Sequence, residues 1–207
     1  MDAAIEAVLT EMDERSRREW SSPRAIPGGR DGMLLSVGRE AGVFLNLLVR
    51  ESGAQRILEL GTSYGYSAIW LAEAARATGG SVISLDVAGY KQVDAAASLA
   101  AAGLADLVEF RVGDALDIIP ELEGPFDFVL LDLWKDLYGP CLELFLPKLA
   151  PGALIVADNM LRPVEARSDA LVYRRLVRSK PGISSVLLSV GQGLEVSRLA
   201  GPDDAGL

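Results

Sequence analysis

A chain of 207 residues, half of them hydrophobic, is long enough for one substantial α/β core and short for two. Its formal net charge of −9 argues against a nucleic-acid surface, and the lack of any histidine removes imidazole acid–base chemistry, Ser-His-Asp triads and imidazole zinc sites. The single Cys141 cannot form an internal disulfide; with no secretory segment at the N-terminus and no bilayer-length apolar run, the expected compartment is the cytoplasm.

Ala3 to Trp20 carries Ile5, Val8, Leu9 and Met12 at helical spacing, which predicts an amphipathic helix. Arg15, Arg17 and Arg18 are diluted by Asp13, Glu14 and Glu19 and read as its solvated face. Ser21 to Gly32, with Pro23, Pro27, Gly28 and Gly29, is a loop, either a linker or a lid, so residues 1–32 are set apart as an accessory segment from a domain over 33–207. Ser36 precedes a second helical pattern, with Glu40 in its first turn and Val43, Phe44, Leu47 and Leu48 on one side, ending near Ser52-Gly53. Short apolar strands then alternate with helices. Arg56 to Leu60, Ser81 to Asp86 and Leu107 to Val112 read as strands; Gly65 to Thr78, Tyr90 to Ala102 and Ala115 to Leu122 read as helices. Two more strands stop at carboxylates, Phe126 to Asp132 and Ala153 to Asp158, with a helix expected from Lys135 to Leu149 and ended by Pro151-Gly152. Repeated strand–helix units imply a parallel, doubly wound sheet covered on both faces. Val164 to Ser179 is helical, and Ile183 to Ser189 with Leu194 to Leu199, joined through Gly191-Gln192-Gly193, reads as an antiparallel hairpin.

Buried parallel strands deliver the residues at their ends to the C-terminal edge of a sheet. If the two acidic-ended strands are neighbours, Asp132, Asp158 and Asn159 form the oxygen set of a hard divalent cation, with Lys135 three residues from the first ligand. Singly, each of these is also an ordinary turn residue. In the turn Glu59-Leu-Gly61-Thr-Ser-Tyr-Gly65-Tyr-Ser67, two glycines let backbone approach a ligand at the start of a helix. The spacing is not that of a dinucleotide fingerprint and no P-loop lysine is present, which favours a nucleotide-like ligand without a pyrophosphate. Asp86 ends the next strand, where a carboxylate accepts from ribose hydroxyls; Asp114 follows the third, near an adenine amino group or as a helix cap. Trp134, Trp20 and Met33 are candidates for lining a water-poor site. Tyr138 reads as a helix-to-core contact, and Asp94, Asp127 and Glu121 as solvated charges.

In this order the motifs resemble the class I S-adenosylmethionine-dependent methyltransferases, and within them the cation-dependent O-methyltransferases of the catechol and caffeoyl-coenzyme A types. The likeness runs from Met33 to Leu199 and is densest in Glu59 to Ser67, Asp132 to Tyr138 and Ala157 to Asn159. It implies a Rossmann-like seven-stranded sheet in the order 3-2-1-4-5-7-6 with strand 7 antiparallel. It also implies that S-adenosylmethionine is cradled by Ser36, Val37, Glu59, Gly61, Gly65, Ser67, Asp86, Asp114, Asp132 and Trp134. Asp132, Asp158 and Asn159 would hold a divalent cation, usually Mg2+, and the catalytic pair would be Asp132 and Lys135, the lysine as general base. The implied reaction is methyl transfer to a hydroxyl of a small vicinal diol, aromatic ones included. The alternatives are metal-independent O- or N-methylation in the same cleft and a non-catalytic S-adenosylmethionine-binding protein. The expected partner is a small-molecule acceptor, with no nucleic acid and no membrane; the N-terminal helix either covers its own cleft or docks a second subunit in a homodimer. One departure bears on the acceptor. Catechol enzymes place an acid near the start of the C-terminal hairpin, against the second hydroxyl, and counting back without gaps from Gly193-Leu194-Glu195 puts Val186 there.

Overall fold

The computed structural model describes residues 1–202 and 204; positions 203 and 205–207, at the end of the domain expected over 33–207, lie outside the described residues. In chain order the elements are α1 (Ala3–Ser21), α2 (Arg39–Ser52), β1 (Arg56–Leu60), α3 (Tyr66–Thr78), β2 (Ser81–Asp86), α4 (Gly89–Ala101) and β3 (Val108–Val112). They continue with α5 (Ala115–Glu121), β4 (Phe126–Leu131), α6 (Tyr138–Phe145), β5 (Leu149–Ala157), α7 (Arg167–Arg178), β6 (Ile183–Leu188) and β7 (Leu194–Leu199).

The sheet order is β3-β2-β1-β4-β5-β7-β6, with β1 to β5 parallel and β7 antiparallel to both its neighbours. Central strands read as apolar runs because both of their faces are covered. On one face Ile57, Phe128, Leu130 and Val156 pack with residues of α1, α2 and α3, including Ile5, Leu9, Leu45 and Trp70. On the other, Leu58, Leu60, Val129, Leu131 and Ile155 meet α5, α6 and α7 through Ile119, Tyr138, Phe145 and Tyr173. The N-terminal helix thus contributes to the same core as the sheet.

The register fixes what reaches the C-terminal edge. Leu85, Leu60, Leu131 and Ala157 lie in one row across β2, β1, β4 and β5. The next residue on each chain, Asp86, Gly61, Asp132 and Asp158, therefore stands at one level. Their backbones extend the ladder: Gly61 N donates to Leu85 O (2.9 Å), Asp132 N to Leu60 O (2.8 Å) and Asp158 N to Leu131 O (3.0 Å).

Three expectations are corrected. The helix read from Lys135 to Leu149 is a 3-10 turn (Lys135–Leu137), α6 and a second 3-10 turn (Leu146–Lys148), and β5 already begins at Leu149. Pro147, which lacks an N–H, stands at the start of that second turn. Pro151-Gly152 does not end a helix but sits in a bulge of β5: Phe126 pairs with Leu149 whereas Phe128 pairs with Leu154, and in the extra length a missing N–H costs no ladder bond. Val186, counted to the acid's place, lies on β6, the first strand of the hairpin, and pairs with Val196. Asp127 is not an idle surface charge; its Oδ2 accepts from Gln55 N (3.0 Å) and Arg56 N (2.8 Å) and so pins the entry to β1.

Candidate functional site

The site is built on the row Asp86, Gly61, Asp132, Asp158. Neighbouring strands lie about 4.8 Å apart, so adjacent strand ends present their side chains to a common space. Gly61 has φ 107°, and a Cβ there would lie 2.2 Å from the Asp132 carbonyl oxygen. The glycine is required by the end of β4 pressing on the turn, a closer constraint than the ligand approach read from the sequence. At Gly65 (φ 88°) a Cβ would meet Ala95 of α4 at 2.8 Å. That glycine therefore lets α4 pack against the start of α3.

Asp158 is 1% exposed, and its Oδ1 has no hydrogen-bond partner. Its Oδ2 accepts from Asn159 Nδ2 at 3.2 Å. Burial and the nearby Asp132 raise the Asp158 pKa, and burial raises that of Asp132 against the pull of Lys135. Two neighbouring acids that resist ionising together are relieved either by a shared proton or by a cation. Among the described residues no three His, Cys, Asp or Glu side chains converge, so a cation here rests on the two carboxylates and the Asn159 amide. This donor set is all oxygen, with one oxygen buried and unpaired, and it fits a hard divalent ion.

Lys135 Nζ donates to Leu133 O (3.1 Å), Tyr138 Oη (2.6 Å) and Asn159 Oδ1 (2.9 Å). All three N–H groups of an ammonium are thereby used, while burial pushes the lysine pKa down. The Asn159 carbonyl oxygen has a second lone pair, so accepting from Lys135 does not prevent it from being a ligand. Tyr138, read from the sequence as a core contact, does more: it accepts from Lys135 and shares its own proton between Leu131 O (2.9 Å) and Asp158 O (3.2 Å), tying the ends of β4 and β5. Its position three residues beyond Lys135, at helical spacing, is the signal that was available in the sequence.

On the other side of Gly61, Glu59 is fully buried and accepts from Ser84 Oγ, and its Oε1 has no partner. Burial pushes its pKa up to about 7, against the hydrogen bond from Ser84. Thr62, Ser84 and Gln92 form the support beneath it: Thr62 Oγ1 and Ser84 Oγ are 2.6 Å apart, and Gln92 Nε2 donates to Thr62 Oγ1 at 2.9 Å. No sequence pattern pointed to these three. Asp86 Oδ2 accepts from Ser63 N (2.7 Å) and its Oδ1 from Ala88 N (2.8 Å), leaving lone pairs toward the edge. Ser36 is half-buried and Val37 buried, just before the uncapped start of α2 at Gly38. Asp114 is exposed and caps α5 through Leu116 N (2.8 Å). Trp134 and Trp20 are 58% and 55% exposed, so neither forms an enclosed wall, whereas Met33 is buried. Asp86, Glu59, Gly61, Gly65, Ser67, Asp132, Asp158, Asn159 and Lys135 are thus brought to the one edge. A cavity of about 530 Å³ opens elsewhere, at the opposite end of the strands beside Arg56, Ser81 and Asp106.

A sheet of this order, with a glycine turn after β1 and acids ending the flanking strands, is the architecture of the class I S-adenosylmethionine-dependent methyltransferases. The chain belongs to the O-methyltransferase family, which it matches over residues 29–199. It is 40% identical over 132 residues to a catechol O-methyltransferase of Niastella koreensis, covering 62% of this chain and 59% of that protein. It is 36% identical over 163 residues to a catechol O-methyltransferase of Mycobacterium tuberculosis, covering 74% of each. Among solved structures, an O-methyltransferase from Streptomyces achromogenes involved in tomaymycin synthesis, in complex with S-adenosylmethionine, matches with TM-score 0.77 at 29% identity over 97% of this chain and 91% of that one. An O-methyltransferase from Bacillus cereus in complex with S-adenosylhomocysteine matches equally, with TM-score 0.77 at 29% identity over 96% and 91%. Among the described residues no helix is long and apolar enough to cross a membrane.

Proposed function

We propose that the protein methylates one hydroxyl of a small vicinal diol, aromatic ones included, using a divalent cation held by Asp132, Asp158 and Asn159, with Mg2+ the first candidate. The observation that carries the metal is the buried, unpartnered Oδ1 of Asp158 one strand away from Asp132. When bound, S-adenosylmethionine supplies an electrophilic sulfonium methyl, and the cation supplies a Lewis acid that favours the ionised hydroxyl.

The chain's own residues do the rest. The unpaired Glu59 Oε1, with Ser67 and the backbone of Ser36 and Val37, suits the charged amino-acid end of the donor; Asp86 suits the ribose, and Asp114 and Trp134 border its outer rim. Gly61 holds this cradle against Asp132, which sets the distance between donor and acceptor. Lys135 stands beside Asn159 and takes the hydroxyl proton in its neutral form, in which one of its three present contacts is given up and a lone pair is free. Relatives named as catechol O-methyltransferases support the vicinal diol. Val186, on β6 of the hairpin, supplies no acid against the second hydroxyl, which leaves catechol recognition incomplete and the acceptor open.

The test is turnover on a phenol and catechol panel with and without excess EDTA. Loss of activity, restored by Mg2+, is expected. Undiminished turnover in EDTA would overturn the metal and favour metal-free methylation; donor binding with no turnover across the panel would favour a binding protein.

A further inference from the structure

The accessory helix α1 reaches the segment before α2 through the carboxylate of Glu19. Glu19 is buried, 15 residues before Leu34, and its Oε2 accepts the backbone N–H of Leu34 at 2.7 Å. Its other oxygen accepts from Arg15 Nε at 2.7 Å, and the Arg15 guanidinium stacks over the Tyr64 ring at 3.9 Å. Leu34 is held on its carbonyl side as well, by Ser63 Oγ at 3.2 Å, and Ser63 N donates to Asp86 Oδ2 at 2.7 Å. A continuous chain of hydrogen bonds therefore runs Glu19, Leu34, Ser63, Asp86.

One link of this chain, and the residue next to another, are strained. Leu35 and Ser63 both have φ 46°, in the left-handed region that residues with a Cβ avoid. Such backbone persists only where its surroundings over-determine it. At Leu35 the restraints come from α1 on one side and the glycine turn on the other. Tyr64 Oη on Gly32 O (3.1 Å) and Tyr66 Oη on Asp13 Oδ1 (2.7 Å) fasten the same two segments.

We infer that Glu19 is a positioning residue for the methyl donor: through Leu34 it fixes the segment 33–38 against the glycine turn, so α1 sets donor affinity without touching the donor. This rests on the reading of the edge as an S-adenosylmethionine site. A charge-assisted bond to a backbone N–H is among the stronger kinds, and losing it frees a strained segment.

The experiment is calorimetric titration of the full-length protein with S-adenosylhomocysteine, alongside KM and kcat for S-adenosylmethionine. Wild type must bind first; if it does not, the donor site itself is wrong. Glu19→Ala is expected to raise Kd and KM for the donor about tenfold, and kcat at saturating donor by less than twofold in either direction. Glu19→Gln keeps the volume and one acceptor oxygen and should recover most of the affinity. Asp2→Ala, which removes the α1 cap and the Arg76 ion pair at the far end of the helix, is the control and should leave donor Kd within about twofold. An unchanged Kd in Glu19→Ala, or an equal loss in Asp2→Ala, overturns the inference. If Glu19→Ala does not fold, Glu19→Asp, which keeps the charge but shortens the reach to Leu34 N, decides: a raised donor Kd with faster exchange of the Leu34 amide supports the role, and an unchanged Kd overturns it.

Discussion

Replacing Tyr138 by phenylalanine removes one oxygen from the centre of the site and leaves its surroundings in place. The ring stays edge-on to Tyr173, with centroids 5.3 Å apart, and remains under the Lys135 ammonium, 4.2 Å from its centroid. Leu131 O keeps the Asp158 N–H at 3.0 Å, so that carbonyl is still paired. What loses its partner is one N–H of Lys135, previously 2.6 Å from the hydroxyl, together with the weaker 3.2 Å contact to Asp158 O. A hydrogen bond to a charged group contributes about 1.5–3 kcal/mol, so a loss of about 2 kcal/mol is expected. For a chain of this size that is a fall in Tm of about 4–8 °C. With Lys135 released from one of three anchors, kcat should fall by about tenfold, while KM for S-adenosylmethionine should stay within about twofold because none of the cradle side chains bonds to Tyr138. Thermal unfolding and steady-state kinetics on the same preparation read both. A variant with wild-type Tm and kcat, or one whose loss is all in donor KM, would refute the reasoning.

Two further outcomes are expected. Glu59 has a pKa of about 7 in the folded chain against an ordinary 4.5, so the folded protein keeps a proton that the unfolded chain releases. The associated stability is full below about pH 4.5 and lost as pH rises through 7, an amount of roughly 3 kcal/mol. Glu59→Gln, neutral throughout, should remove that slope in urea unfolding at pH 4.5 and 7.5; parallel wild-type and variant profiles would contradict the burial argument. Gly61→Ala places a methyl 2.2 Å from Asp132 O at φ 107°, which should cost at least about 2 kcal/mol. Because the carbonyl that must yield belongs to Asp132, calorimetry should show weaker binding of both S-adenosylhomocysteine and Mg2+, and loss of the first alone would contradict the coupling.

Much of the fold was readable because the physics that makes these elements is local. Runs such as Phe126 to Leu131 have no reason to be apolar throughout unless both faces are covered, and the glycines and carboxylates at their ends mark where the chain leaves the sheet. The segment from Lys135 to Leu149 misled because its apolar content suits a helix, while Pro147 and the pairing of Leu149 with Phe126 decide otherwise, and that pairing is not a local property. The hairpin, by contrast, was marked locally by its Gly191-Gln192-Gly193 turn, and Leu188 pairs with Leu194 across it.

The site divides along the same line. Residues that present an end group at a strand terminus, such as Asp132 and Asp158, announce themselves by position. Glu19 and Gln92 act across 15 and 30 residues respectively, to Leu34 and Thr62, and no spacing rule connects such partners. Backbone conformation supplies the evidence that composition could not. Among the described residues, the non-glycine residues at positive φ are Leu35, Ser63 and Asn159. All three stand at the C-terminal edge, and each is tethered: Leu35 follows the residue held by Glu19 and Ser63, Ser63 is bound to Asp86, and Asn159 to Lys135. Glycine serves the same conformation elsewhere in the chain, as at Gly53 and Gly79 after α2 and α3. Glycine at 63 or 159 would relieve the strain but delete the hydroxyl that holds Leu34 or the amide beside Lys135 and Asp158. Two of the three strained positions, Ser63 and Asn159, therefore coincide with side chains that the proposed chemistry uses, and the hydrogen bonds that restrain them are the ones whose removal should lower affinity or rate before it unfolds the protein.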